Sequence, residues 1–303
     1  MLEAYRRAQN GSNRGTTKDC QFAWHDGQMV MTASVPPPPR SSDDPVERTL
    51  LLDLDGVVWL SHQPLPGSVA AIARARSHGW RVLFVTNNSS APVGDQERAL
   101  AAIGIPAAGD VVTSAMAAAR LLVPGDRVLV CGGPGVVEAV ERVGARVVES
   151  GPCDAVVVGF HRTFDYEALR LASSAVRGGA RLIGTNDDAT YPTPDGPIPG
   201  GGAILAAVVV GSGTDAIVAG KPFGPMADIV RAIVGEAGIA HAVMVGDRPS
   251  TDGLFARELG CRYAQVWSGV TAVGSLVVPT PDLSADNLSA IVDQLLSESA
   301  PVV

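Results

Sequence analysis

The stretch Leu50–Val58, with sequence LLLDLDGVV, constrains the fold of this chain most strongly. Its short apolar run leads into Asp53, Asp55 and Gly56, and such a run followed by turn residues predicts a strand buried on both faces of a parallel sheet. Alternate side chains of a strand share a face, so both aspartates are expected at its carboxyl end, where open α/β sheets bind ligands. Alone, the pattern also fits an acidic strand-to-turn junction.

The composition indicates a large apolar core and excludes some classes of partner. The chain has 303 residues, of which 46% are hydrophobic, enough for about two domains. Its net charge of −8 argues against a surface for nucleic acid or for an anionic membrane, and no apolar stretch approaches the ~20 residues of a membrane span. The four cysteines form no CxxC pair, which is typical of reduced thiols. We therefore expect a cytoplasmic protein without nucleic-acid or membrane partners.

Predicted strands and helices alternate with short links after the first fifty residues, which indicates a parallel sheet with right-handed crossovers. By contrast, residues 1–47 hold polar low-complexity runs and four consecutive prolines, and we expect a disordered leader there. Residues 297–303 are expected to form a flexible tail. Ala203–Val210 fits either a helix or a buried strand, because its apolar run has no clear period. The structure after about residue 272 stays open.

Four groups of polar residues each follow a predicted buried strand. They are Asp53 with Asp55, Thr86-Asn87-Asn88, Lys221, and Asp247 with Asp252. Because the carboxyl ends of parallel strands meet at one edge of a sheet, we expect these groups to converge on one crevice. Acids, a hydroxyl, backbone N–H groups and one ammonium together suit phosphoryl transfer.

The acids have distinct expected roles in that chemistry. Asp53 would be the nucleophile and form an aspartyl-phosphate. Asp55 would protonate the leaving oxygen and then deprotonate the attacking water. Mg²⁺ prefers oxygen ligands, and Asp53 and Asp247 are its expected ligands, with the backbone carbonyl of Asp55 as a third. Asp247 could instead be a plain turn residue.

The remaining polar groups would bind or stabilise the phosphate. Thr86 and the backbone N–H of Asn87 would hold phosphate oxygens, with Asn88 beside them, and Lys221 would screen the charge of nucleophile and phosphoryl group. Asp252 would orient Lys221 or water around the metal. Taken alone, Thr86-Asn87-Asn88 is better explained as a strand-end turn before a helix cap than as a phosphate site. Taken alone, Lys221 is better explained as a solvated surface lysine.

At this point the motifs resemble a known family. They are Asp53-Leu-Asp-Gly-Val, Thr86-Asn-Asn-Ser, Gly220-Lys-Pro and Gly246-Asp-Arg-Pro-Ser-Thr-Asp252, in the order found in the haloacid dehalogenase (HAD) superfamily. Val156–Gly202 is similar to the cap of its NagD-like, nitrophenylphosphatase branch, subfamily IIA. The resemblance implies an α/β fold, with a Rossmann-like parallel-sheet core at 48–127 plus 217–296. An α/β cap domain of type C2 would be inserted at 128–216.

The resemblance also implies a set of site residues and partners. It implies an Mg²⁺ site of Asp53, Asp55 and Asp247, supported by Gly56 and Asp252. In related enzymes the cap loop matching Asp188–Gly196 contributes to substrate selection, which makes Tyr191 the leading candidate for specificity. The alternative for Tyr191 is an ordinary loop aromatic. Pairing of two caps in a homodimer is a further expectation.

The expected activity is Mg²⁺-dependent hydrolysis of a small phosphorylated metabolite, such as glycerol 3-phosphate or 2-phosphoglycolate, or of p-nitrophenyl phosphate. Two alternatives stay open: a sugar phosphotransferase or phosphomutase that uses the same aspartyl-phosphate, and a non-catalytic protein that binds phosphorylated metabolites. Binding of NAD is excluded, because Glu138 stands where the glycine-rich fingerprint beginning at Gly133 requires Gly or Ala.

Overall fold

A computed structural model describes residues 21–25, 28–32, 48–193 and 195–298. Its strands are β1 (Gln21–His25), β2 (Gln28–Thr32), β3 (Thr49–Leu52), β4 (Trp59–Leu60), β5 (Gln63–Pro64), β6 (Arg81–Thr86), β7 (Val111–Thr113), β8 (Arg127–Cys131), β9 (Arg146–Val148), β10 (Ala155–Val158), β11 (Arg181–Gly184), β12 (Thr190–Tyr191), β13 (Ile198–Pro199), β14 (Ile217–Val218), β15 (Ala242–Gly246), β16 (Arg262–Val266) and β17 (Leu283–Ala285). Its α-helices are α1 (Ser68–Ser77), α2 (Val93–Ala102), α3 (Ser114–Ala119), α4 (Pro134–Arg142), α5 (Tyr166–Arg177), α6 (Gly201–Ser212), α7 (Gly224–Val234), α8 (Glu236–Ile239), α9 (Leu254–Leu259) and α10 (Leu288–Glu298).

The first compact unit, Met1–Pro45, contains an antiparallel hairpin of β1 and β2. This differs from the disorder expected for the leader. The two strands are rich in aromatic and apolar residues, and Asp26-Gly27, a dipeptide typical of hairpin connections, separates them in the sequence. The rest of the expected leader and residues 299–303 of the expected tail lie outside the described residues. Residues 297 and 298 belong to α10, not to a tail.

The second unit, Val46–Val303, contains a six-stranded parallel sheet in the order β17-β16-β15-β3-β6-β7. The predicted strand β3 lies in its middle, paired with β15 and β6, and all four of its residues are buried. Leu51 packs into one apolar cluster, while Leu50 and Leu52 pack into another. Burial on both faces explains why this strand is a continuous apolar run.

A second parallel sheet lies between β7 and β15 in the chain. Its order is β14-β11-β10-β8-β9, and its strands fall between Arg127 and Val218. Helices α5 and α6 pack against each other beside it. The predicted fold class, a Rossmann-like core with an inserted α/β cap, is confirmed, while the exact domain boundaries stay a prediction.

Three segments differ from, or complete, the sequence-based expectations. The ambiguous apolar run forms α6, a helix that is apolar on most sides. The residues after Asp247 form a π-helical turn at Pro249–Gly253, which is followed by α9. Beyond residue 272, β17 and α10 complete the edge of the larger sheet. Among the described residues, no helix is both long and apolar enough to cross a membrane.

Candidate active site

The predicted site residues meet at the carboxyl edge of the six-stranded sheet. Asp53 directly follows β3 and donates its backbone N–H to the carbonyl oxygen of Val245 on β15 (3.0 Å). Thr86 ends β6, and Asp247 directly follows β15. Since β15, β3 and β6 are neighbours, residues that are far apart in the sequence face one crevice.

Lys221 reaches this crevice from the link that follows β14. Its side chain is almost wholly buried, and Nζ donates to Oδ1 of Asp53 (2.7 Å) and to Oδ1 of Asp252 (2.7 Å). Burial alone would lower the pKa of Lys221, but the carboxylates of Asp252 and Asp53 outweigh it and raise that pKa. Lys221 is therefore a charged ammonium at hydrogen-bond distance from the expected nucleophile.

Three carboxylates crowd around this one ammonium. One oxygen each of Asp53, Asp247 and Asp252 lies within 4.8 Å of the others. Burial raises the pKa of Asp53 well above its usual value, despite the charge of Lys221, and raises the pKa of Asp247 to about 7. A divalent cation such as Mg²⁺ would favour the charged form of these buried carboxyl groups, and the all-oxygen donor set fits it.

The carboxylate of Asp247 is held in a tight cradle. Its Oδ2 accepts the backbone N–H of Val270 (2.6 Å), and its carbonyl oxygen accepts Nε2 of Gln265 (3.1 Å). A Cβ atom on Gly56 or Gly269 would lie 2.6 or 1.9 Å from Oδ2 of Asp247. Gly56 also has a φ of +91°, which favours glycine, so its place in the motif has a steric reason.

The side chain of Asp55 is not part of the carboxylate cluster. Its carboxyl accepts the backbone N–H of Ser61 (3.4 Å) and lies 3.4 and 3.5 Å from Oη of Tyr191. Burial raises the pKa of Asp55 to about 6, which suits a proton donor. Burial and the charge of Asp55 raise the pKa of Tyr191, so its hydroxyl stays protonated. Coordination of a metal by the Asp55 backbone carbonyl stays a prediction.

The loop after β6 forms the core side of the cleft. Oγ1 of Thr86 accepts the backbone N–H of Asn88 (3.0 Å), while Oδ1 of Asn88 accepts that of Ser90 (3.0 Å). Oδ1 of Asn87 accepts the backbone N–H of Lys221 (2.8 Å), and its Nδ2 donates to the Lys221 carbonyl oxygen (3.0 Å). The Thr86 loop and Lys221 are therefore braced against each other.

The cleft between these groups and the cap is small. It has a volume of about 60 Å³ and is lined on the cap side by Phe160, Tyr191 and Asp188, among others. One water needs ~10–15 Å³ of such volume, so the cleft as it stands holds only a few water-sized groups. A phosphate group with a short carbon chain is the size of substrate that this space suits.

Comparison with known proteins decides the family. Residues 50–146 match the family model for haloacid dehalogenase-like hydrolases, and residues 218–291 match a second, HAD-hydrolase-like model. An acid sugar phosphatase of Staphylococcus saprophyticus is 32% identical over 74% of this chain and 88% of its own length. The chain belongs to the haloacid dehalogenase-like hydrolases.

Other relatives of this HAD hydrolase are also phosphatases. D-glycerol 3-phosphate phosphatase of Mycobacterium tuberculosis is 39% identical over 77% of this chain, which spans 66% of that relative's length. A crystal structure of a glycerol phosphate phosphatase from that organism in complex with magnesium has a TM-score of 0.73 and 35% identity, covering 81% of this chain and 76% of its own. The p-nitrophenyl phosphatase of Archaeoglobus fulgidus has a TM-score of 0.76 and 27% identity, covering 82% and 100%.

These relatives establish the class of the HAD hydrolase, which is a phosphoric monoester hydrolase, as expected from its motifs. The magnesium in the homologous crystal structure and the carboxylate cluster of this chain support the expected Mg²⁺ cofactor. The carboxylate cluster contains the expected metal ligands Asp53 and Asp247 together with Asp252, while the metal role of Asp55 stays a prediction. Both oxygens of Asp252 accept hydrogen bonds, Oδ1 from Lys221 and Oδ2 from the N–H of Arg248 (3.1 Å). This contact supports the role of orienting Lys221, one of the two roles expected for Asp252, and that role stays a prediction.

Three residues that line the cleft of this HAD phosphatase were not singled out from the sequence, although Asp188 begins the cap loop expected to select substrate and Arg248 lies in the motif that ends at Asp252. Phe160 stacks on Tyr191, with ring centroids 5.4 Å apart and planes at 18°. Asp188 and Arg248 form an ion pair (3.1 Å) between a cap loop and the loop that follows Asp247. The only sequence signal for Phe160 is its place after a buried strand, and no local pattern pairs Asp188 with Arg248.

Proposed function

We propose that the protein hydrolyses small phosphate monoesters through an aspartyl-phosphate on Asp53, with glycerol 3-phosphate as the first candidate substrate. The observation that carries this proposal is the position of Lys221, whose buried ammonium joins Asp53 to Asp252 at 2.7 Å each. The named activity of the 39% identical relative supports the choice of substrate. The small cleft supports a short-chain ester.

In the first step, a carboxylate oxygen of Asp53 attacks the phosphorus and the bond from phosphorus to the ester oxygen breaks. Asp55 gives its proton to the departing alcohol oxygen, a transfer that its raised pKa favours. In the second step, Asp55 takes a proton from a water that attacks the phosphorus. Phosphate then leaves and the Asp53 carboxylate is restored.

Other side chains bind and orient the phosphoryl group during both steps. The hydroxyl of Thr86 and the backbone N–H of Asn87 would donate to its oxygens, and Lys221 would stabilise the charge that develops. Asp53, Asp247 and the Asp55 carbonyl would hold Mg²⁺, which supplies positive charge against the repulsion between nucleophile and substrate. The cap limits the water in the cleft. Pairing of caps in a homodimer and a cytoplasmic location stay predictions.

Release of inorganic phosphate from a panel of esters tests the proposal. With Mg²⁺ and no acceptor sugar, we expect phosphate from glycerol 3-phosphate and from p-nitrophenyl phosphate. A phosphoryl group that appears only on an added sugar would assign a phosphotransferase instead. Binding of the esters without any release or transfer would indicate a non-catalytic binding protein.

Removal of Mg²⁺ with EDTA is expected to abolish turnover, and added Mg²⁺ to restore it. Since the cation offsets the carboxylates of Asp53 and Asp247, Mg²⁺ at 100 times its dissociation constant should also stabilise the fold by about 2.7 kcal/mol. Thermal unfolding with and without Mg²⁺ measures this. Asp247→Asn should lose most of that stabilisation, whereas undiminished turnover by the metal-free protein would contradict the assignment.

Tyr191→Phe is expected to lower kcat toward glycerol 3-phosphate by about three- to tenfold, which corresponds to the net free energy of one neutral hydrogen bond. The lost hydroxyl lies beside Asp55, so the loss should be smaller toward p-nitrophenyl phosphate, whose leaving group needs little protonation. Steady-state kinetics with both esters checks this. Tyr166→Phe, on an exposed cap side chain, is the matched control. Equal losses on both esters would show that Tyr191 does not act through Asp55.

A further inference from the structure

The carboxylate of Asp188 joins the cap to two separate loops of the core. Its Oδ2 accepts a hydrogen bond from Nδ2 of Asn87 (3.0 Å), in the loop that follows β6. Its Oδ1 accepts a hydrogen bond from Nη1 of Arg248 (3.1 Å), in the loop that follows β15. The side chains of Asp188 and Arg248 are only 18% and 21% exposed, so solvent screens this pair less than a surface pair. One cap residue therefore contacts both the loop that holds Thr86 and the loop that holds Asp247.

Two chains of hydrogen bonds start at the Asp188 carboxylate, one through Asn87 and one through Arg248, and we call them the first and the second arm. The first arm leads to the backbone of Lys221. Asn87 uses Oδ1 to accept the Lys221 N–H (2.8 Å) and Nδ2 to donate to the Lys221 carbonyl oxygen (3.0 Å). The same Nδ2 also donates to Asp188. The orientation of the Asn87 amide thus depends on the cap residue and in turn holds the peptide groups that flank Lys221.

The second arm leads to the ammonium of Lys221. The backbone N–H of Arg248 donates to Oδ2 of Asp252 (3.1 Å), and Oδ1 of Asp252 accepts Nζ of Lys221 (2.7 Å). Arg248 is therefore linked to Asp188 through its guanidinium and to Asp252 through its main chain. Both arms start at the carboxylate of Asp188 and both end on Lys221, one at its backbone and one at its side chain.

We propose that Asp188 is a positioning residue that acts from the cap and fixes Lys221 against Asp53. The proposal rests on the function proposed above, since it acts through Lys221 in that reaction. Without the Asp188 carboxylate, Asn87 and Arg248 both lose an acceptor, and both arms loosen together.

A direct role of Asp188 in binding substrate is the competing explanation, because its side chain also lines the cleft. The two roles differ in kinetics. A residue that binds substrate hydroxyls equally in ground and transition states changes KM, whereas one that positions Lys221 changes kcat. Replacing a residue that supports and orients a functional group typically lowers activity by about 10–100-fold.

Asp188→Ala is accordingly expected to lower kcat toward glycerol 3-phosphate by about 10–100-fold while KM changes less than about threefold. Asp187→Ala, an exposed carboxylate next to it in the same loop, is the matched control and should change neither value more than about twofold. Asp188→Asn keeps one acceptor oxygen, so its kcat should lie between those of Asp188→Ala and Asp187→Ala. A rise in KM at constant kcat would overturn the proposal in favour of substrate binding.

A double-mutant cycle with Lys221→Ala separates positioning from a general loss of structure. If Asp188 acts through Lys221, then Asp188→Ala should cost less than about twofold in kcat once Lys221→Ala is present. p-Nitrophenyl phosphate, with its good leaving group, keeps the residual rate measurable. A full additional 10–100-fold loss in the double variant would overturn the proposal.

Hydrogen exchange tests the same link without any activity. In Asp188→Ala, the backbone amides of residues 86–88 and of Gly220 and Lys221 should exchange faster than in Asp187→Ala, while those of β3 stay protected. Unchanged exchange at Gly220 and Lys221 would overturn the proposal even if the protein is a phosphatase. Conversely, faster exchange in a protein that hydrolyses no ester would remove the proposed function and leave the structural link standing.

Discussion

Asp53→Asn is expected to lower kcat by about 10⁴-fold or more, as loss of the nucleophile does in enzymes with a covalent intermediate. The amide keeps the shape of the side chain but is a poor nucleophile. Lys221 keeps its second carboxylate, that of Asp252 (2.7 Å), so the lysine stays in place. Phosphate release over long incubations at high enzyme concentration measures the residual rate.

The control for this variant is Asp228→Asn, which removes an exposed carboxylate from α7 and should leave kcat unchanged. Thermal unfolding of both variants shows whether the fold is kept. Mg²⁺-dependent turnover of Asp53→Asn within about tenfold of the wild type would refute the role of Asp53. Mass spectrometry of the variant shows that the asparagine has not deamidated back to aspartate.

Lys221→Met is the second variant with a large expected effect, and it acts on both rate and stability. Methionine replaces the ammonium with an apolar group of similar length. Removal of one preorganised stabilising charge is expected to lower kcat by about 10²–10³-fold. Asp252, which is almost wholly buried, also loses its cation, and breaking such a buried pair costs about 3–5 kcal/mol of unfolding free energy.

Chemical denaturation measures this loss in unfolding free energy, and its dependence on Mg²⁺ gives a second readout. The metal supplies positive charge to the same carboxylate cluster, so the destabilisation of Lys221→Met should be smaller with Mg²⁺ than without it. A variant that is as stable as the wild type without Mg²⁺ would show that Lys221 does not offset the charges of Asp53 and Asp252.

The sequence predicted the arrangement of the core because each motif borders a buried parallel strand. Asp53, Thr86 and Asp247 follow or end apolar runs, and the order β15-β3-β6 places these strands side by side. Lys221 could be assigned to the crevice because it also follows a predicted strand, although a lysine in a loop is usually exposed. In the structure it is 1% exposed and paired twice.

Other features depend on contacts that no local pattern encodes. The ion pair of Asp188 and Arg248 joins residues 60 positions apart that lie on two different loops. Phe160 lies against Tyr191 only because two cap segments come together. Helix α6 lacks a polar face, so periodicity could not separate it from a strand. In such cases packing decides, and packing is a property of the whole fold.

Trapping of the phosphoenzyme tests the central claim most directly. The protein is mixed with Mg²⁺ and substrate radiolabelled in its phosphate, quenched in acid during turnover and digested with pepsin at low pH, where an acyl phosphate survives. We expect label on a peptide that contains Asp53, assigned by fragmentation to Asp53, released by hydroxylamine, and absent from Asp53→Asn. Label on any other residue, or equal labelling of the Asp53→Asn protein, would contradict it.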